Sequence, residues 1–270
     1  MSIILGVDIG GSTTKIIGMQ EQTLLGALQV RASDQTTSMY GAIGHFLMKH
    51  QIALGSVSSI VLTGVGASFV DEAIYGIDTH KVDEFQAIGR GGLYVSGIEE
   101  AFVVSLGTGT AFVRADQQGV LHIGGSGVGG GTLLGLASQM VNKRDMEAVL
   151  ALAENGCLEN VDLSVKEILH HELPSLPLHA TASNFGKIKS TATDADLALG
   201  IINMVLQTVG MMAVFAARND TVKDVVLTGT LTTLPQVHEA FATISDRYGV
   251  KFIVPQHSVY ATAIGAALHI

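Results

Sequence analysis

Two short stretches have residue types and spacing suited to phosphate chemistry. In "VDIGGSTTKIIG" (7–18) the carboxylate of Asp8 is followed by Gly10 and Gly11, the hydroxyls of Ser12, Thr13 and Thr14, and Lys15, all between apolar runs. In "VSLGTGTAFVRA" (104–115) a second apolar run breaks at Gly107-Thr108-Gly109-Thr110. A phosphate accepts hydrogen bonds on several sides. Successive N–H groups in a glycine turn can converge on it, and glycine lets the backbone come close. The hydroxyls add donors and Lys15 adds charge. Asp8 has the chemistry to orient a Mg²⁺ through water, because Mg²⁺ prefers to keep its waters. Either stretch alone could be an ordinary hairpin; together they favour a nucleotide's phosphates with their metal ion.

Other chemistries find less support. The Walker pattern is absent. A G-x-G-x-x-G match occurs at Gly125, Gly127 and Gly130, with Asp145 downstream. A dinucleotide site needs a further parallel strand after the helix. The next segment here, "DMEAVLALAENG", reads as helix, so the match is a decoy, although these glycines open a helix whose N-terminus favours anions. No H-E-x-x-H and no G-x-S-x-G is present. The ten histidines are scattered, and His170-His171 would point apart on a helix; they read as structural or surface residues. Cys157, the single cysteine, reads as a packing residue. One cysteine excludes an intrachain disulfide and a Cys-rich zinc or iron–sulfur site.

These motifs need a scaffold, and the composition allows one. The chain has 270 residues, 47% of them apolar, with 32 glycines and a formal net charge of −9. That describes a globular protein with a real core. No Lys/Arg cluster stands out, which argues against a nucleic-acid surface. No basic leader precedes the early apolar run, which Asp8 interrupts; the expectation is a cytoplasmic protein without a signal peptide. "LALGIINMVLQTVGMMAVFAAR" (197–218) is long and apolar but contains Asn203, Gln207 and Thr208. It reads as a buried helix at the core or a subunit interface, not as a membrane span.

The elements follow from periodicity and turn residues. Two strands flank the first glycine turn, a third covers 24–32, a helix 36–50 and a buried strand begins at 58. A short helix is expected over 70–77 and another over 83–98. Strands at 101–106, 111–115 and 120–123 then repeat the opening theme. Helices come next at 129–143 and 145–155, and 156–193 reads as short helices and loops. A long helix at 194–218, a strand at 224–230, a helix at 234–248, the strand "KFIVP" and a last helix near 258–268 complete the chain. The reading is α/β: a βββαβ unit used twice, with a ligand cleft between the copies.

"GVDIGGSTTK", "SLGTGT" and "VVLTGT" resemble the two phosphate segments and the adenosine-side strand of the actin, hexokinase and Hsp70 superfamily. Within it the chain most resembles type II pantothenate kinases, through "DEFQAIGRGG" (83–92), "SLGTGTAF" (105–112), "IGGSGVGGGTLLGL" (123–136), "TASNFG" (181–186) and "ATAIGAAL" (261–268). The resemblance implies duplicated RNase H-like domains, 1–82 and 83–270, the second holding the dimerisation helices. It implies ATP-dependent phosphorylation of pantothenate, the first step toward coenzyme A, by a homodimer using ATP and Mg²⁺. It places the catalytic base at Glu84, with Asp83 as the adjacent rival. It places the nucleotide at Asp8, Gly10, Gly11, Ser12, Thr13, Thr14, Lys15, Thr108, Gly130, Gly131, Thr132, Leu133, Leu134 and Thr230, and the metal at Asp8. Gly107 and His122 fall on the substrate side. The family usually has arginine where "LHIGG" puts His122, a charged fork replaced by a ring. Two alternatives remain: a kinase for another small alcohol, such as an N-acetylated amino sugar, and a non-catalytic ATP-binding regulator.

Overall fold

The computed structural model describes residues 2–32, 34–169, 178 and 180–270; His170-His171 lies outside them. The chain opens with the antiparallel strands β1 (Ile3–Ile9), β2 (Thr13–Gln20) and β3 (Thr23–Arg31). Helix α1 (Gln35–Lys49) starts at Asp34, whose carboxylate accepts the Thr37 N–H at 2.7 Å, satisfying one of the donors that every helix start leaves free. The chain returns as β4 (Val57–Thr63), parallel to β1, and then β5 (Asp78–Lys81), parallel to β4. Strand alternation sends Ile3, Leu5, Val7 and Ile9 of β1 to one face, where they pack with Met39, Ile43, Phe46 and Leu47 of α1.

After α2 (Glu84–Ser96) the plan repeats. The antiparallel strands β6 (Ala101–Leu106), β7 (Thr110–Asp116) and β8 (Gly119–Ser126) lead into α3 (Gly130–Met140) and α4 (Met146–Ala153). A short antiparallel pair, β9 (Leu163–Ser164) and β10 (Thr181–Ser183), precedes α5 (Asp194–Ala217). Then come β11 (Asp224–Thr228) parallel to β6, α6 (Gln236–Tyr248), β12 (Lys251–Ile253) parallel to β11, and α7 (Ala261–Ala267). The sheet orders are β3-β2-β1-β4-β5 and β12-β11-β6-β7-β8, one plan used twice.

Each copy is thus βββαβ with one further parallel strand. In the first copy that strand is β5, which the sequence reading left out. The helix expected over 70–77 is replaced by one isolated 3₁₀ turn, Ile74–Gly76, after another that ends at Phe69. Tyr75 and Gly76 both have positive φ (53° and 73°), which a continuing right-handed helix cannot hold.

The two copies exchange their closing helices. α2, which follows β5, packs on β6, β7 and β8, whereas α7, which follows β12, packs on β1, β2 and β4. Where α2 and α7 cross, backbone meets backbone. A Cβ on Gly91 would lie 1.8 Å from the Ala261 carbonyl oxygen, and one on Gly265 1.9 Å from that of Ala87. Only glycine permits that approach.

α5 is long and apolar enough to cross a membrane by composition. Its residues Ile201, Ile202, Val205, Leu206 and Val209 are instead wholly buried in the second core. Its polar groups are paired there: Asn203 donates to Asp162 at 2.8 Å, and Gln207 bonds Thr181 and Asn184.

Candidate active site

The first glycine turn joins β1 to β2 in a tight loop, closed by the Gly10 N–H donating to the Thr13 carbonyl at 3.0 Å. The hairpin register sets Asp8 opposite Lys15, so both side chains leave the sheet on one face. Lys15 Nζ lies 3.6 Å from Asp8 Oδ2, and the side chains are only 7% and 10% exposed. Burial pushes the Asp8 carboxyl up, and Lys15 partly offsets this. Thr14 departs from expectation: it is fully buried, and alternation turns its side chain to the opposite face from Lys15, away from any phosphate on that side.

The second glycine turn is built against the start of α3. The N–H groups of Gly130 and Gly131 donate to the Gly107 and Thr108 carbonyls at 2.9 and 2.8 Å. The Thr110 hydroxyl donates to the Val128 carbonyl, and Thr132 Oγ1 to that of Gly127. A Cβ on Gly129 would lie 2.7 Å from the Thr108 carbonyl oxygen. The glycine run therefore serves close packing of loop on helix, and two N–H groups at the helix start are already used. Leu133 and Leu134 also depart from the expected nucleotide contact: Leu133 is fully buried in the second core and Leu134 packs against it. The G-x-G-x-x-G match spans an antiparallel strand and α3, and Asp145 caps α4 by accepting from the Ala148 N–H. Neither belongs to a dinucleotide site.

The two turns meet. Ser12 Oγ and Thr108 Oγ1 are 3.1 Å apart. Close by, α2 begins with Asp83 as its cap, accepting from the N–H groups of Phe85 and Gln86 at 3.0 and 3.1 Å. Asp83 is thereby committed to the backbone, whereas the carboxylate of Glu84 in the first turn makes no hydrogen bond among the described residues. Burial raises the Glu84 pKa, the negative charges of Asp8 and then Asp83 raise it further, and Lys15 lowers it. One residue on, the Phe85 ring stacks on His122 of β8, centroids 3.7 Å apart and planes 12° apart. His122 thus packs against α2 through Phe85, one residue along the chain from Glu84. Thr230 follows Gly229, whose φ of 91° turns the chain out of β11.

The sequence reading missed Thr63 and Gly64, which end β4 beside Asp8. A Cβ on Gly64 would lie 2.7 Å from Asp8 Oδ1. Their signal was present: "VLTGV" (61–65) repeats as "VLTGT" (226–230). Cys157 is a correction: it is exposed, and its contribution is a backbone N–H donated to Asp196 at 2.7 Å. "TASNFG" is held to α5 through Asp162, which accepts from the Phe185 N–H, Asn184 and Asn203.

The family model described as Fumble matches residues 99–269. A type II pantothenate kinase of Bacillus cereus (strain G9842) is 25% identical over 100% of this chain and 99% of the relative. One from Staphylococcus epidermidis is 28% identical, covering 97% and 98%. Among solved structures, the activator of 2-hydroxyisocaproyl-CoA dehydratase from Clostridium difficile, with bound ADPNP, superposes with a TM-score of 0.71 at 17% identity, covering 99% of this chain and 93% of that one. A ROK family glucokinase from Streptomyces griseus, with glucose and AMPPNP, gives 0.62 at 13% identity, covering 98% of each chain. These last two likenesses show the fold, a duplicated α/β plan of the actin/hexokinase type.

Proposed function

The chain belongs to the Fumble family, and on that premise we propose that it transfers the γ-phosphoryl group of ATP to the hydroxyl of pantothenate, the first step toward coenzyme A. The observation that carries the reading is the convergence of Asp8, Lys15 and Glu84 where the two glycine turns touch. Phosphoryl transfer is mostly positioning and charge neutralisation. The N–H groups of Gly10 and Gly107 close the two turns, and those of Gly11, Ser12 and Thr108, with the hydroxyls of Ser12, Thr13 and Thr108, supply donors to the phosphates. Lys15 turns from Asp8 to the same phosphates. Gly130, Gly131, Thr132 and Thr230 border the nucleoside.

Glu84 takes the proton of the attacking hydroxyl. A carboxylate whose pKa is raised is a stronger base in its ionised form. The Phe85–His122 stack, with Gly107, walls the acceptor side. Among the described residues no group of three His, Cys, Asp or Glu could hold a metal ion. A single buried carboxylate beside hydroxyls fits a Mg²⁺ that keeps its waters; Asp8 would hold it through those waters, and it would supply charge neutralisation. The homodimer and the cytoplasmic setting belong to the same proposal and rest on the family likeness.

An ATP-consumption screen against pantothenate, pantetheine and N-acetylglucosamine tests the reading. Pantothenate should be the preferred acceptor. Preference for the amino sugar would make the chain a sugar kinase, and ATP binding without turnover would make it a regulator; either result overturns the proposal.

A further inference from the structure

The ends of β4 and β11 repeat one another. Thr63 pairs with Asp8 across β1 and β4, and Thr228 pairs with Ser105 across β6 and β11. The next residues, Gly64 and Gly229, have φ of 85° and 91°. A Cβ on either would strike the matching carbonyl, Ile9 at 2.7 Å or Leu106 at 2.6 Å. The two threonines differ in one respect. The Thr228 hydroxyl donates to the Val104 carbonyl at 3.4 Å. The Thr63 hydroxyl is wholly buried and has no hydrogen-bond partner among the described residues. In the copy that carries serine, the threonine is satisfied by backbone; in the copy that carries the carboxylate, its hydroxyl is free.

The placement of Thr63 gives that hydroxyl a use. Parallel pairing puts Thr63 on the same sheet face as Asp8 and Lys15. Two residues earlier, Val61 packs with Ala87 of α2, so this face lies under the start of the helix that carries Glu84. The two oxygens of Asp8 look along the sheet in opposite directions. Oδ2 faces Lys15 on β2, and Oδ1 lies over Gly64, next to Thr63 on β4. A buried hydroxyl left unpaired is destabilising, and valine would fill the same space without that cost.

We propose that Thr63 is a positioning residue for Asp8: its hydroxyl donates to the carboxylate, directly or through one water, when Lys15 turns to the nucleotide phosphates. The inference rests on the phosphotransfer reading above. Without a donor on the β4 side, a buried carboxylate that gives up Lys15 would lose its orientation toward the hydrated cation.

The test uses Mn²⁺ as the probe, with a non-hydrolysable ATP analogue, and reads bound Mn²⁺ by electron paramagnetic resonance. Thr63→Val should weaken Mn²⁺ binding about tenfold, as loss of a hydrogen bond to a charged group implies. It should lower kcat while leaving the KM for pantothenate nearly unchanged. Thr63→Ser should restore both to within about twofold, and Thr228→Val should leave Mn²⁺ binding as in the wild type. If Thr63→Val does not fold, Thr63→Ala against Thr63→Ser makes the same comparison. Wild-type Mn²⁺ affinity and kcat in the variant lacking the hydroxyl would overturn the inference, as would a serine variant equally impaired. Wild-type protein that binds no Mn²⁺ with the analogue would overturn the functional reading itself, and this inference with it.

Discussion

The hydroxyl oxygens of Ser12 and Thr108, 96 residues apart in the chain, lie 3.1 Å from each other. This contact joins the glycine turn of one βββαβ copy to that of the other. Both hydroxyls are exposed donors, and a phosphate between the turns would accept from each. Thr108→Val should therefore weaken ATP binding roughly three- to tenfold, the worth of one hydrogen bond, with less effect on the KM for the acceptor. Isothermal titration with a non-hydrolysable ATP analogue checks it; unchanged affinity would remove Thr108 from the phosphate site.

As the proposed base, Glu84 should set the acid limb of the pH profile. Its pKa is raised above the ordinary glutamate value of 4.5, and the base must be ionised to work. Turnover should fall as pH drops through that raised value, and so above 4.5. Asp83→Asn keeps a capping side chain but removes one of the negative charges acting on Glu84. The limb should move to lower pH without vanishing, since burial is the largest cause. A kcat–pH profile of both forms decides it, and an unmoved limb would contradict the assignment.

Lys15→Met leaves Asp8 buried without its cation. Breaking a buried pair on one side costs on the order of 3 kcal/mol. The loss should be largest at neutral pH and shrink on acidification, because an Asp8 carboxyl with a raised pKa takes up its proton first in the folded state. Urea unfolding at several pH values reads this directly; a pH-independent loss would mean that packing, not charge, was removed.

Gly265→Ala forces a Cβ onto the Ala87 carbonyl, 1.9 Å away. It should cost more than about 3 kcal/mol and depress turnover, because α2 carries Glu84. Gly44→Ala, on an exposed helix position with nothing within 4 Å, should instead stabilise by about 0.5–1 kcal/mol. Chemical denaturation of the two variants separates close approach from mere helix propensity.

Much of this was legible in the sequence, for physical reasons. The turns at Gly10 and Gly107 interrupt strongly apolar strands, so the period-2 signal ends where the chemistry begins. Glu84 stood at a helix start marked by its cap, Asp83. β5 was not legible: "DTHK" is a short, largely exposed edge strand without alternation. The 70–77 segment has helical spacing, but the positive φ at Tyr75 and Gly76 breaks it. Leu133 could have been assigned to the core, since Leu133 and Ala137 lie on one helix face and both are wholly buried. The exposure of Cys157, by contrast, depends on where the chain runs between α4 and β9, which no local pattern sets. The role of Thr63 required comparing "VLTGV" with "VLTGT", and the register that sets it beside Asp8 exists only in the folded sheet.

The central claim is that Glu84, at the junction of the two turns, drives transfer of phosphate from ATP to pantothenate. The most direct test is to identify the products by ³¹P NMR and mass spectrometry for the wild type and for Glu84→Gln, at equal occupancy by ATP. The wild type should yield ADP and phosphopantothenate, and Glu84→Gln should yield both at least about 10²-fold more slowly. Phosphopantothenate formed by Glu84→Gln at the wild-type rate, or no phosphopantothenate from the wild type, would contradict the account.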